Sequence, residues 1–117
     1  QTFIKAIADR DLLMRAWNTF LSTYPLMVTP MMTEPTMTAG YDKSFPGAMS
    51  SMASIGRWGL NLSAISMPAL AFPVGSHEGA PLGVQVTAHT WREDLILAAG
   101  DALEARLGPV QAVDIAW

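Results

Sequence analysis

The chain contains no cysteine. Disulfides, thiolate metal sites and cysteine nucleophiles are thereby excluded, and the composition fits a cytoplasmic setting. Lysine is almost as scarce. Lys5 and Lys43 are the only two, and a formal net charge of −3 leaves no basic run to neutralise phosphates, so nucleic acid is not an expected partner. No apolar run approaches the roughly 20 residues that a membrane helix needs, and no membrane partner is expected either. The opening Gln1-Thr2-Phe3-Ile4-Lys5 lacks the charged head and apolar block of a signal peptide. It also lacks an initiator Met, which points to an excised or processed chain. His77 and His89 are the only histidines, and neither stands in H-x-x-x-H or H-E-x-x-H. No metal is expected.

Apolar residues dominate instead. They make up 50% of the 117 residues, against 15% charged, so a core can form and residues 1–117 read as a single domain. A small domain has much surface for its volume and normally dresses it with charge. The low charged fraction therefore predicts that part of this surface is made to be covered.

Along the chain, Asp9 or Asp11 can cap a helix running to about Thr23. Leu13, Ala16, Trp17, Phe20, Leu21 and Tyr24 recur on it at three and four residues, forming one stripe that faces a core. Pro25 ends it, and Leu26-Met27-Val28-Thr29, stopped by Pro30, reads as a short buried strand. Pro30, Pro35, Gly40, Pro46 and Gly47 then mark a long surface loop. Ala48 to Leu60 is small and Met-rich and reads as helical, weakened by Gly56 and Gly59.

Ala69 to Val74 is apolar at nearly every position, as in a strand buried on both faces. In the next strand Leu82, Val84, Val86 and Ala88 alternate with Gly83, Gln85 and Thr87, giving one apolar and one smaller or polar face. Thr90 and Glu93 form a capping-box pattern for a last helix. Glu93 and Asp94 suit its positive end, and Arg106 its negative end. Leu95, Ile96, Ala99, Ala102, Leu103 and Leu107 make its buried face, Gly108 and Pro109 stop it, and the apolar tail Val110–Trp117 is expected to pack.

Few residues invite chemistry. His77 falls in a turn and His89 between strand and helix, with no nucleophile at a telling spacing, and both read as ordinary surface residues. Ser50 and Ser51, with Lys43 shortly before, could form a serine–lysine pair only if the lysine were desolvated. Small residues and serines also pack closely spaced helices, and the loop around Lys43 should keep it solvated and charged. Six of eight methionines lie between Met27 and Met52, and flexible thioethers suit either a core or an adaptable pocket wall. Met31 and Met32 are the candidates for that wall, with Trp58 and Asn61 bordering it, although an Asn there could equally cap a turn. Gln85 is expected to satisfy a neighbouring backbone group.

The order of these elements resembles the amidase signature family. Leu26-Met27-Val28-Thr29-Pro30 is similar to the family's strand closing in Thr-Pro. Met67-Pro68-Ala69, Phe72-Pro73-Val74-Gly75 and Pro81-Leu82-Gly83-Val84-Gln85-Val86 are similar to its C-terminal hairpin, and Trp91-Arg92-Glu93-Asp94-Leu95 opens the final helix as members often do. The resemblance covers about Asp9 to Leu107. It departs where members often carry Asn-x-x-Gly before the Pro-Ala, since Ser63 and Ser66 stand there and Asn61 lies two positions early.

The resemblance implies an α/β chain with about three strands of a larger mixed sheet, packed with helices, forming the C-terminal part of an amidase domain. It implies amide hydrolysis by a Ser–cis-Ser–Lys triad without a cofactor. The motifs of that triad belong to the family's N-terminal half and do not occur here, so no catalytic residue is assigned. The expected partners are that N-terminal half and a small-molecule amide substrate. The chain alone is expected to be inactive and to self-associate through uncovered strand edges. The alternative is a free-standing small binding or interaction domain without catalysis, for which the length and the long loop speak.

Overall fold

The computed structural model describes residues 2–35 and 37–108. The hairpin organises them. Strand β2 (Ala69–His77) turns through Glu78-Gly79 into β3 (Ala80–Ala88). Both turn residues have positive φ, 51° and 79°, the two-residue turn whose twist matches that of the flanking strands. Gly79 takes this conformation freely. Strand β1 (Leu26–Pro30) then pairs antiparallel with the other side of β3, Val28 opposite Val86 and Thr29 opposite Gln85, giving the order β1-β3-β2. The expected three strands are present, and among the described residues every pairing is antiparallel.

Helices cover both faces. Helix α4 (Glu93–Leu107) packs Ile96, Leu95, Ala99 and Leu103 on Val86, Ala88 and Leu70. On the other face α1 (Thr2–Thr23) and α3 (Arg57–Ala64) bring Met14, Trp17, Leu21 and Leu62, with Ile65 and Met67, against Met27. Helix α2 (Ala48–Ile55) precedes α3 and is separated from it by Gly56, so the expected helix over 48–60 is two helices. The loop after β1 contains one 3-10 turn, Tyr41–Lys43. No described helix is long and apolar enough to cross a membrane.

Burial departs from expectation in a consistent direction. The apolar run of β1 predicts a buried strand, yet only Thr29 is buried, and Val28 is 60% exposed. Strand β2, apolar enough for burial on both faces, has no buried residue. Both are edge strands among the described residues. The polar face of β3, by contrast, is buried: Gln85 donates to the Thr29 hydroxyl at 3.1 Å and Thr87 to the Pro68 carbonyl at 2.9 Å. Burying these groups is tolerable because each is hydrogen-bonded. Gln85 thus finds a side chain in place of the expected backbone partner.

Helix α1 begins at Thr2, so Asp9 and Asp11 are interior residues and not caps, and Asp9 pairs with Lys5 one turn earlier. Of its apolar stripe only Leu21 is buried, while Leu13, Phe20 and Tyr24 are exposed. Among the described residues the Met14–Trp17–Leu21 side is covered and the other side is open.

The capping box is absent. Arg92 is the N-cap of α4 and makes no side-chain cap bond. Thr90 is held instead by Asn18 of α1, whose Oδ1 accepts the Thr90 N–H at 3.0 Å and whose carboxamide also meets the Thr90 hydroxyl. Ala102 and Leu107 are exposed, against expectation. Gly100 is buried on the sheet side of α4 instead, where a Cβ would come within 2.6 Å of Leu70 Cδ2. Gly108, with φ 79°, caps the helix through its N–H to Glu104. Pro109 and the tail 110–117 lie outside the described residues.

Candidate functional site

Helix α3 carries Trp58, Asn61 and Leu62, with Ile65 just after it, at three- and four-residue spacing, so they share one side of the helix. Leu62 and Ile65 sink into the core beside Leu21 and Met67. Trp58 and Asn61 are left at the rim of a depression of about 300 Å³, closed on its far side by Leu13 and Trp17 of α1. Two indoles and one carboxamide thus lie around an apolar floor: the rings offer apolar surface, and the Asn side chain can both donate and accept.

Met31 and Met32 lie elsewhere. With Glu34 they line a second depression of about 420 Å³, between the end of β1 and the outer half of the hairpin, where Phe72, Pro81 and Leu82 complete the wall. The loop is anchored there because the Thr33 N–H and hydroxyl both donate to the Ile55 carbonyl, at 2.9 and 3.3 Å. The structure therefore pairs Trp58 with Asn61, and Met31 with Met32, in two separate depressions. Leu13 and Trp17 join the site although sequence alone gives them only a core role. Their spacing is visible, but their place in the depression depends on α1 meeting the end of α3, where Trp17 and Leu21 pack with Leu62 and Ile65.

The segment joining α3 to β2 is fixed from α1. Arg10 Nε donates to the Ala64 carbonyl at 2.8 Å and Nη2 to the Ser66 hydroxyl. Ser66 stands where the resembled family often has Gly, and its φ of 56° is the left-handed conformation that glycine adopts most easily. The backbone turn is thus made despite the substitution, with the Arg10 contact holding it.

Among the described residues the remaining chemistry-bearing side chains form no reactive group. Ser51 shares a hydrogen bond of 3.0 Å with the Tyr41 hydroxyl, and Lys43 is exposed, so the serine's partner is a tyrosine and not the lysine. His77 is exposed at the hairpin tip, and His89 Nδ1 lies 2.8 Å from the Thr90 carbonyl oxygen. Arg92 donates to both carboxylate oxygens of Asp94, at 2.8 and 2.9 Å. That hydrogen bonding lowers the Asp94 pKa and raises that of Arg92. Both groups are solvated, so the pair clasps the start of α4 and does no chemistry.

Comparison with known proteins sets these elements in a larger frame. Residues 1–97 match the Amidase family model. The chain is 32% identical over 118 residues to an indoleacetamide hydrolase of Bradyrhizobium japonicum, covering 92% of this chain and 23% of that protein. It is 34% identical over 113 residues to the A-subunit of a glutamyl-tRNA(Gln) amidotransferase of Deinococcus radiodurans, covering 93% and 23% respectively. The protein of the same name from Moorella thermoacetica is 31% identical over 106 residues, covering 87% and 20%. The chain thus spans between a fifth and a quarter of the length of these relatives.

Proposed function

The chain belongs to the amidase family, and on that premise we propose that it is the C-terminal portion of an enzyme that cleaves carboxylic amide C–N bonds. In this reading the segment completes the sheet of the amidase domain and walls its substrate pocket. The Ser–cis-Ser–Lys triad that the resemblance implies belongs to the remainder of the domain, so the segment alone is inert. Its own residues bind and orient the substrate and exclude water.

The family match over residues 1–97 carries the hydrolase assignment, and the depression lined by Trp17, Trp58 and Asn61 supports the substrate preference. Its chemistry favours an arylalkyl amide, the class to which indoleacetamide belongs, over a small polar amide such as glutamine. Met31 and Met32 line the separate depression at the hairpin end and are assigned to a neighbouring part of the wall.

The test uses the full-length protein translated from the gene. It should hydrolyse indole-3-acetamide, and the 117-residue chain should not. Trp58→Ala should raise KM about tenfold with kcat little changed, the signature of lost binding energy worth about 1–1.5 kcal/mol. Turnover of glutamine but not of indole-3-acetamide would overturn the arylalkyl assignment. Absence of any amide turnover would overturn the hydrolase reading.

A further inference from the structure

The sheet has two outer edges, and they are built differently. That of β2 is blunted: Pro73 at its middle has no N–H, the register shifts between Pro73 and Gly75, and Ser76 and His77 finish the strand. Proline, a bulge and polar residues are the devices by which proteins protect an edge from further pairing. Strand β1 has neither a proline nor a bulge between its ends, and its one polar residue there, Thr29, is buried against Gln85. Leu26, Met27, Val28 and Thr29 all keep their N–H groups, no charge lies among them, and Pro30 is only the last residue. Among the described residues no loop or helix backbone bonds to this strand from outside, and the nearest such bonds, at Tyr24 and Thr33, lie beyond both ends.

The face tells the same story. Leu26 and Val28 lie on the α4 side of the sheet, opposite Ala88 and Val86. Helix α4 spans β2 and β3 and stops short of β1. Leu26 and Val28 are consequently 37% and 60% exposed, and Tyr24 just before them is 59% exposed. One strand thus presents both unpaired backbone groups and bare apolar side chains, in a chain that covers no more than 23% of its relatives' length.

We infer that the outer edge of β1 is the seam at which the sheet continues, and that its occupant is an extended, apolar, uncharged strand from the rest of the amidase domain. The inference rests on the reading above that such a remainder exists. It adds which edge is used and what chemistry meets it. About four or five residues would pair, spanning roughly 17 Å, and their side chains on the α4 side would cover Leu26 and Val28.

Amide hydrogen exchange tests this, read residue by residue in the full-length protein and in the 117-residue chain. Antiparallel pairing leaves alternate β1 amides facing away from β3. These should exchange freely in the short chain and at least about tenfold more slowly in the full-length protein, while the outward amides of Val74 to His77 change little. Protection gained at Val74–His77 and not at β1 would overturn the seam. Protection of β1 that rises with concentration in the short chain, and is absent from the full-length protein, would assign the edge to a second copy and overturn it too. Amide turnover is scored separately: a full-length enzyme that is active with β1 unprotected sinks the seam alone, and one inactive with β1 protected sinks only the hydrolase reading.

Discussion

Replacing Asn18 with alanine should destabilise the fold by about 2 kcal/mol, far more than a half-exposed helix residue ordinarily costs. The Asn18 carboxamide accepts the Thr90 backbone N–H and meets the Thr90 hydroxyl within 3.0 Å. Each such bond contributes about 1 kcal/mol net, and a half-buried amide left without a partner adds to the loss. The rival account, a capping box between Thr90 and Glu93, places about 1 kcal/mol on Glu93 instead. In the structure Glu93 keeps only its place at the positive end of the helix, worth at most about 0.5 kcal/mol at an exposed site. Urea unfolding of the single variants Asn18→Ala, Thr90→Val and Glu93→Ala, and of the two pairs containing Thr90, separates the accounts. Coupling of about 1 kcal/mol is expected between Asn18 and Thr90, and near zero between Thr90 and Glu93. A loss below about 0.5 kcal/mol for Asn18→Ala, with clear Thr90–Glu93 coupling, would refute the reasoning.

Other perturbations probe the sheet, the turn and the helix start. Gln85→Leu should cost about 2 kcal/mol by stranding the buried Thr29 hydroxyl, and adding Thr29→Val should recover most of it in the same urea titration; a purely additive double variant would argue against the pair. Ser66→Gly should raise stability by about 0.5 kcal/mol, relief of the left-handed backbone outweighing the exposed Arg10 contact, and Ser66→Val should lower it by about 1 kcal/mol or more. The pKa of Asp94 is lowered from its ordinary 3.8 by the hydrogen bond from Arg92. Its stabilising effect is therefore complete above that value and lost as pH falls through the lower folded value. Asp94→Asn should accordingly be slightly less stable than the parent at neutral pH, with the two converging in strong acid. A gap in urea midpoints that persists there would contradict this.

Where one element's residues suffice to define it, the sequence is legible. Period-two alternation marks β3, Glu78-Gly79 lies between two apolar runs, and the spacing of Leu95, Ile96, Ala99 and Leu103 marks α4. Thr90 misleads because the pattern S/T-x-x-E is local, while its real partner lies 72 residues away in α1. Burial misleads for a different reason. Apolar spacing marks a face without saying what lies on it, and Leu13, Phe20 and Val28 are exposed, with nothing described in this chain covering them. Gly100 looks like a weak point in a helix, and only the approach of Leu70 explains it. The same holds for the candidate site. Trp58 and Asn61 share a helix face only because α3 runs on to Ala64, past the expected end at Leu60, and the placement of Met31 and Met32 depends on where a long loop is tied down.

The pairing distances along the chain carry one more consequence. In the hairpin, partners are close in sequence, beginning with His77 and Ala80, whereas Leu26 meets Ala88 across a far longer stretch of chain. A tight hairpin closes in roughly 1–10 μs, and joining distant segments first costs the entropy of a long closed loop. The hairpin with α4 on its back should therefore form early, and β1 should join last, bringing α1 with it. In a stopped-flow refolding series, substitutions at Glu78 or Gly79 would slow folding, and those in β1 would mainly speed unfolding. The strand with the open edge would then also be the last to settle.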